Sequence, residues 1–310
     1  MPIIQRLDYN NVMAKKPFSK KKIIIISIIG ALSLVALGVG GYFLGQWIYI
    51  NNNTIDYSKL SETELEDDQV ALMKKYSESS ASDYTKDFKS YELANIGINK
   101  IQNHDFVVSK TIGSAKALGV DQSVRAASIK NKNEYFLENL SVSKLVQTAK
   151  RFYQKDDAVK TYNGSEIDIE KAAWNENPDS ELSLKDHEAK WGKQLSRPLL
   201  YIISSKTTLD TSTATKSNDG YTVKLDLSPK YAVLRYVRQI VEISPVTNPI
   251  FHEIHLTLKL DNQLNLLSYS VDESYSVIMV ILVETAVKLE ETYTYDVETK
   301  IPNLTEDFKY

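Results

Sequence analysis

Few residues of this chain could do covalent or metal chemistry. It has no cysteine and four histidines. That excludes thiolate metal sites and thiol nucleophiles, and it leaves general bases scarce. The densest cluster is His252-Glu253-Ile254-His255. A zinc pair of the metalloprotease type needs histidines four apart on one helix face. These are three apart, in a segment that alternates like a strand. His252 is expected on its apolar side and His255 on its polar side, so they could not chelate one ion. His104 and His187 stand alone, and neither a G-x-S-x-G elbow nor a P-loop occurs. A hydrolase would require His104, His187 or His255 to meet a serine and an acid in space. Adjacent acids such as Asp156-Asp157 and Glu290-Glu291 point to opposite faces of a strand and make no acid/base pair. Glu64, Glu66, Asp67 and Asp68 lack the Gly-turned loop of a calcium site and suit the solvated face of a helix. The chain is therefore read as no enzyme, with no metal and no cofactor.

Where these residues live follows from Ile23 to Ile50, a run of 28 without a charged side chain. About 20 apolar residues cross a bilayer as a helix, so this run is expected to be a single transmembrane anchor. Arg6, Lys15, Lys16, Lys20, Lys21 and Lys22 precede it against the single acid Asp8. The positive-inside rule puts the N-terminus in the cytoplasm and the rest outside the cell membrane. A cleaved signal peptide is the rival reading, with Gly38-Val39-Gly40 as its site. The apolar run continues past that point, however, to Trp47 and Tyr49, which suit an interfacial belt. Without cysteine there is no lipoprotein anchor. Gly41 and Gly45 form a GxxxG pair that could dimerise the helix, or reflect the general frequency of glycine in such spans. Taking the six bases and one acid of the first 22 residues from the chain's 37 bases and 40 acids leaves a net charge near −8 outside. That argues against nucleic acid or an anionic membrane surface as partner.

The pattern divides the chain into a basic tail (1–22), the anchor (23–50), a stalk (51–83) and one extracytoplasmic domain (84–310). Ser61 with Glu64 offers a capping box in the stalk. Phe88, Tyr91, Ala94, Ile98 and Ile101 recur at helical steps. Phe106–Ile112, Ser123–Ile129 and Tyr135–Leu140 read as strands, Ser143–Phe152 as a short helix, and Tyr162-Asn163-Gly164 as a turn. Residues 165–194 are polar, with two weak helices carrying Trp174 and Trp191. Thr207–Thr215 and Tyr221–Leu227 form a hairpin, and Ser228-Pro229 starts a helix that Pro245 ends. The last sixty residues alternate with period two. Ile254, Leu256 and Leu258 are followed by Tyr269, Val271 and Tyr275, and then by Val287, Leu289, Tyr293 and Tyr295, all on one apolar face. Such a sheet must cover that face with helices, a second sheet or a ligand.

The order of helix, strand meander, helical insertion and final meander resembles the lipoprotein-carrier superfamily with the LolA-like fold. The likeness runs from Phe88 to Asp296. Its local texture is Ile254-His255-Leu256-Thr257-Leu258-Lys259-Leu260-Asp261, Tyr269-Ser270-Val271-Asp272-Glu273-Ser274-Tyr275 and Glu291-Thr292-Tyr293-Thr294-Tyr295. The resemblance implies an α+β fold, a half-barrel of curved antiparallel sheet with helices over its concave face. It also implies acyl chains held between sheet and helices. The apolar faces above would then line a lipid groove. The tyrosines suit such a groove, with rings on alkyl chains and hydroxyls at the mouth, and equally suit a filled core. Two functions follow: a membrane-anchored module that holds or transfers a lipid or other apolar ligand, or an envelope scaffold with a filled core and a protein partner or second copy.

Overall fold

Alternating side chains and tight turns build one antiparallel sheet from the twelve strands found among the described residues, which are 55–144, 147–191, 195–196, 198–237, 249–278 and 282–306 of the computed structural model. The chain divides into Met1–Asn53 and Thr54–Tyr310, and every described residue belongs to the second unit. The run Ile23–Ile50, with Gly41 and Gly45, lies outside the described residues. Among those residues no helix is long and apolar enough to cross a membrane.

Strands β1 (Phe106–Ala117), β2 (Val120–Asn131), β3 (Glu134–Ser143), β4 (Gln147–Lys155) and β5 (Ala158–Ser165) form a meander. The short β6 (Ala173–Trp174) and β7 (Ser180–Ser183) both pair with β5. Next come the hairpin β8 (Thr213–Ser217) and β9 (Gly220–Asp226), then β10 (Ile250–Leu260), β11 (Leu266–Ile278) and β12 (Leu282–Tyr295). The sheet order is β6-β5-β4-β3-β2-β1-β12-β11-β10-β9-β8. Its centre is the β1–β12 pair, from Val107 opposite Tyr295 to Ala117 opposite Thr285. The helices α1 (Glu62–Leu65), α2 (Gln69–Glu78), α3 (Ser90–Lys100) and α4 (Leu184–Trp191) complete an α+β fold, and residues 234–237, at the end of a described stretch, are also helical.

One sheet face carries the main core. Leu93, Ala94, Ile96 and Ile98 of α3 are buried with Val223, Leu225, Ile254, Leu256, Leu258 and Leu260 of β9 and β10. The β8–β9 turn works only with glycine. Gly220 has φ +134°, and a Cβ there would lie 2.0 Å from the Leu260 carbonyl oxygen. Gly220→Ala should therefore cost about 2–3 kcal/mol, read as a lower denaturation midpoint.

The opposite face has its own smaller core of Leu140, Ala149, Tyr162, Ala172 and Trp174, with Leu304 of the C-terminal tail packed against it. At its centre the Arg151 Nε donates to Glu138 Oε2 at 2.6 Å and Nη1 donates to the Leu304 carbonyl at 2.7 Å. The Trp174 ring lies 3.9 Å from the guanidinium. This layer corrects three expectations. Ser143–Phe152 is no helix, because Ala149 and Arg151 must alternate outward to meet Leu140 and Glu138, and that pairing overrides local helix propensity. Tyr162-Asn163-Gly164 is no turn but part of β5. A Cβ at Gly164 would come within 2.8 Å of Ala149 and 2.9 Å of Ala172, so this glycine allows the outer layer to close. Trp174 sits on β6, and α4 is the helix found among the described residues of 165–194.

The stretch read as a stalk packs onto the body from Ile55 onward. Tyr57 and Leu72 join the main core. Arg235 Nε donates to Glu62 at 2.8 Å and Arg235 also pairs with Glu66. The Ser205 amide donates to Asp67 at 2.7 Å. The capping box at Ser61 does not form. Ser61 makes no side-chain cap bond, α1 ends after one turn, and Asp68 caps α2 by accepting from the Val70 and Ala71 amides at 3.0 Å.

Candidate ligand cavity

The main-core face is not filled along its whole width. Where β9 and β10 present Val and Leu, the equivalent positions of β1 and β2 are mostly smaller: Ser109, Thr111 and Gly113, and Ala126 and Ser128 beside Val124. Removing side-chain volume from the middle of a covered sheet leaves space that no neighbour can collapse into. The result is a cavity of about 330 Å³. Thr111, Val124, Ala126, Leu137, Asn139 and Phe152 form its sheet side on β1–β4, and Tyr269, Val271, Leu289 and Glu291 continue it on β11 and β12. His187 of α4, Leu195, Pro198 to Tyr201 and Tyr236 line the cover. Pairing register aligns Asn139, Ala126, Thr111, Glu291 and Tyr269 in one row across five strands.

Two acids stand in the apolar phase of these strands. Glu291 follows Val287 and Leu289 in β12. Its carboxylate accepts from the Tyr269 hydroxyl at 2.5 Å. Glu273 follows Tyr269 and Val271 in β11 and is 2% exposed. It accepts from Tyr236 at 2.8 Å and from Tyr201. Burial pushes the Glu273 carboxyl up to about 7, against the pull of both tyrosine hydroxyls. Burial, with the charge of Glu273 second, holds Tyr201 and Tyr236 well above the ordinary phenol range. Both tyrosines therefore remain neutral donors. Their rings meet edge to face, with centroids 5.7 Å apart.

Of the residues singled out as groove candidates, Tyr269, Val271 and Leu289 line the cavity. Ile254, Leu256 and Leu258 are buried in the packed core beside it. Val287 is buried between Ala115 and Glu273. Tyr275 packs on Phe251, ring centroids 5.0 Å apart. Tyr293 lies between Tyr269 and Tyr295, at 6.3 and 6.2 Å. The Tyr295 hydroxyl donates to the Leu266 carbonyl at 2.6 Å.

The histidines fall on separate sites. His104 contacts Asp296 at 3.1 Å, and His255 contacts Asp226 at 2.6 Å. His252 does not face the core, because a β-bulge between Phe251 and Glu253 shifts the phase. Phe251 takes the inward position instead, against Tyr236 and Tyr275. His252 Nε2 lies 2.6 Å from Ser276 Oγ and 3.3 Å from Glu284. The serine also lies 2.8 Å from Glu284, to which it donates. With its one proton committed to the carboxylate, Ser276 receives a hydrogen bond from the imidazole instead of losing a proton to it. A catalytic triad needs the acid on the far imidazole nitrogen, so this wiring does not activate the serine.

No protein-family model matches the chain, and no curated protein matches it. Among solved structures, the chain is similar to a DUF1329 family protein from Desulfovibrio piger ATCC 29098, with 14% sequence identity and a TM-score of 0.23 over 70% of this chain and 95% of that one.

Proposed function

We propose that the Thr54–Tyr310 unit is a non-enzymatic binding module that holds or transfers a lipid or other apolar small molecule. Its fold would be a half-barrel of the lipoprotein-carrier type. The observation that carries this reading is the cavity of about 330 Å³, whose sheet side includes the apolar Val124, Ala126, Leu137, Val271 and Leu289. A dry cavity of roughly 150 Å³ already holds a benzene, and ligand sites begin near 300 Å³. The run Ile23–Ile50 would tether the unit to the outer side of a cell membrane as a single-pass anchor.

Native mass spectrometry of the full chain, repeated after organic extraction, should reveal a bound species of defined mass. Val271→Trp, which places a large ring in the cavity, should remove it and weaken uptake of a fluorescent acyl probe by roughly tenfold or more. An empty wild-type chain that takes up no probe overturns the reading. The rival, an envelope scaffold with a protein partner or second copy, draws on the filled core around Ile254, Leu256 and Leu258. It requires crosslinking in membranes to capture that partner, or a dimer through Gly41 and Gly45.

A further inference from the structure

The cavity's charge is one-sided. Among the described residues that line it, Glu291 is the only acid, neither lysine nor arginine is present, and His187 on the cover is the one basic side chain. Glu291 has no basic partner among the described residues; the hydroxyl of Tyr269 donates to it at 2.5 Å, and a hydrogen bond with Glu291 is also among the influences that raise Tyr293. A carboxylate met by neutral hydroxyls keeps spare acceptor capacity. Tyrosines surround it. After burial itself, the Glu291 charge is among the causes that raise Tyr135, Tyr269 and Tyr293. The nearby acid, Glu273, is tied up by Tyr201 and Tyr236, which themselves line the cavity.

An anionic head group entering this space would meet a carboxylate and find neither lysine nor arginine among the described lining residues. A cation would meet a charge-assisted acceptor among electron-rich tyrosine rings. Apolar Val271 and Leu289 stand one register step away, opposite each other on β11 and β12, and offer room for an alkyl body.

We propose that the cavity selects amphiphiles whose apolar body ends in an amine or ammonium group, seated on Glu291 beside Tyr135 and Tyr269. This rests on the reading of the cavity as an apolar-ligand site. The test is calorimetric titration of octylamine, octanol and octanoate at pH 7 into the full chain in lipid nanodiscs. Empty nanodiscs give the partition blank. Octylamine should bind roughly tenfold or more tighter than octanol, the increment of a hydrogen bond to a charged group, and octanoate should bind weakest. In Glu291→Gln the amine and the alcohol should bind alike. Equal binding of all three, a preference for octanoate, or an amine preference that survives Glu291→Gln overturns the head-group assignment and leaves an apolar-ligand site standing. Binding of none of the three, in wild type and Val271→Trp alike, overturns the ligand site itself.

Discussion

Glu138→Ala is expected to lower the unfolding free energy by about 3–5 kcal/mol, the cost of stranding one charge of a buried pair. Arg151 is fully buried, and Glu138 is 2% exposed. The guanidinium is held on three sides, by the Glu138 carboxylate, the Leu304 carbonyl and the Trp174 ring. Without the carboxylate, the cation loses its counter-charge but cannot reach water without prising off the C-terminal tail. Chemical denaturation of the full chain, followed by tryptophan fluorescence, measures the effect. The double variant Glu138→Leu, Arg151→Met should recover most of the loss, because a buried pair and a well-packed apolar pair differ little in net free energy. A single-variant cost below about 1 kcal/mol would place the pair in the range of solvent-exposed ion pairs and refute the burial argument.

That pair also shows what a single sequence hides. Gln147 to Lys155 carries no clean alternation, and its strand character comes from Ala149 and Arg151 meeting an outer layer more than a dozen residues away. By contrast, Ile254 to Leu260 alternates with period two, and its strand is legible without partners. Its phase was legible only as far as the bulge. One extra residue at Phe251/Glu253 turns His252 outward, and nothing in the local pattern marks that insertion. The cavity was half legible. Tyr269, Val271 and Leu289 stand on the expected apolar face, but the space itself comes from small residues of β1 and β2, strands that were legible while the gap their short side chains leave beneath the cover was not. The clearest missed signal was the pair of acids, Glu273 and Glu291, each in the apolar phase of its strand. An acid at such a position must be paired, neutralised or used. The stalk expectation failed for a related reason. Arg235 and Ser205, which hold Glu62, Glu66 and Asp67 against the body, lie some 140 to 170 residues away.

Glu273 should make the folded unit less stable as pH rises from about 4.5 to 7, by roughly 3 kcal/mol in total. The sign follows from proton binding. The folded carboxyl titrates at about 7 and the unfolded one near the ordinary 4.5, so the folded chain holds the extra proton throughout that window. Stability from this group is complete below 4.5, falls as pH climbs through 7 and then levels off. Other carboxylates work in the opposite sense. Asp226, held low by the Thr211 and His255 side chains, loses its contribution as pH falls. The informative quantity is therefore the difference between wild type and Glu273→Gln. The amide keeps an oxygen for one tyrosine and cannot ionise, so the variant should gain about 3 kcal/mol on wild type between pH 5 and pH 8. A difference that does not change with pH would mean that Glu273 titrates as an ordinary carboxylate. The same group reports on the cavity. Tyr201 and Tyr236 bind Glu273 with their hydroxyls and are themselves part of the cavity wall, so a cationic ligand beside them favours the ionised carboxylate and shifts the window to lower pH. An uncharged apolar ligand excludes water from the same wall and shifts it higher. The direction of that displacement identifies the ligand's charge without identifying the ligand.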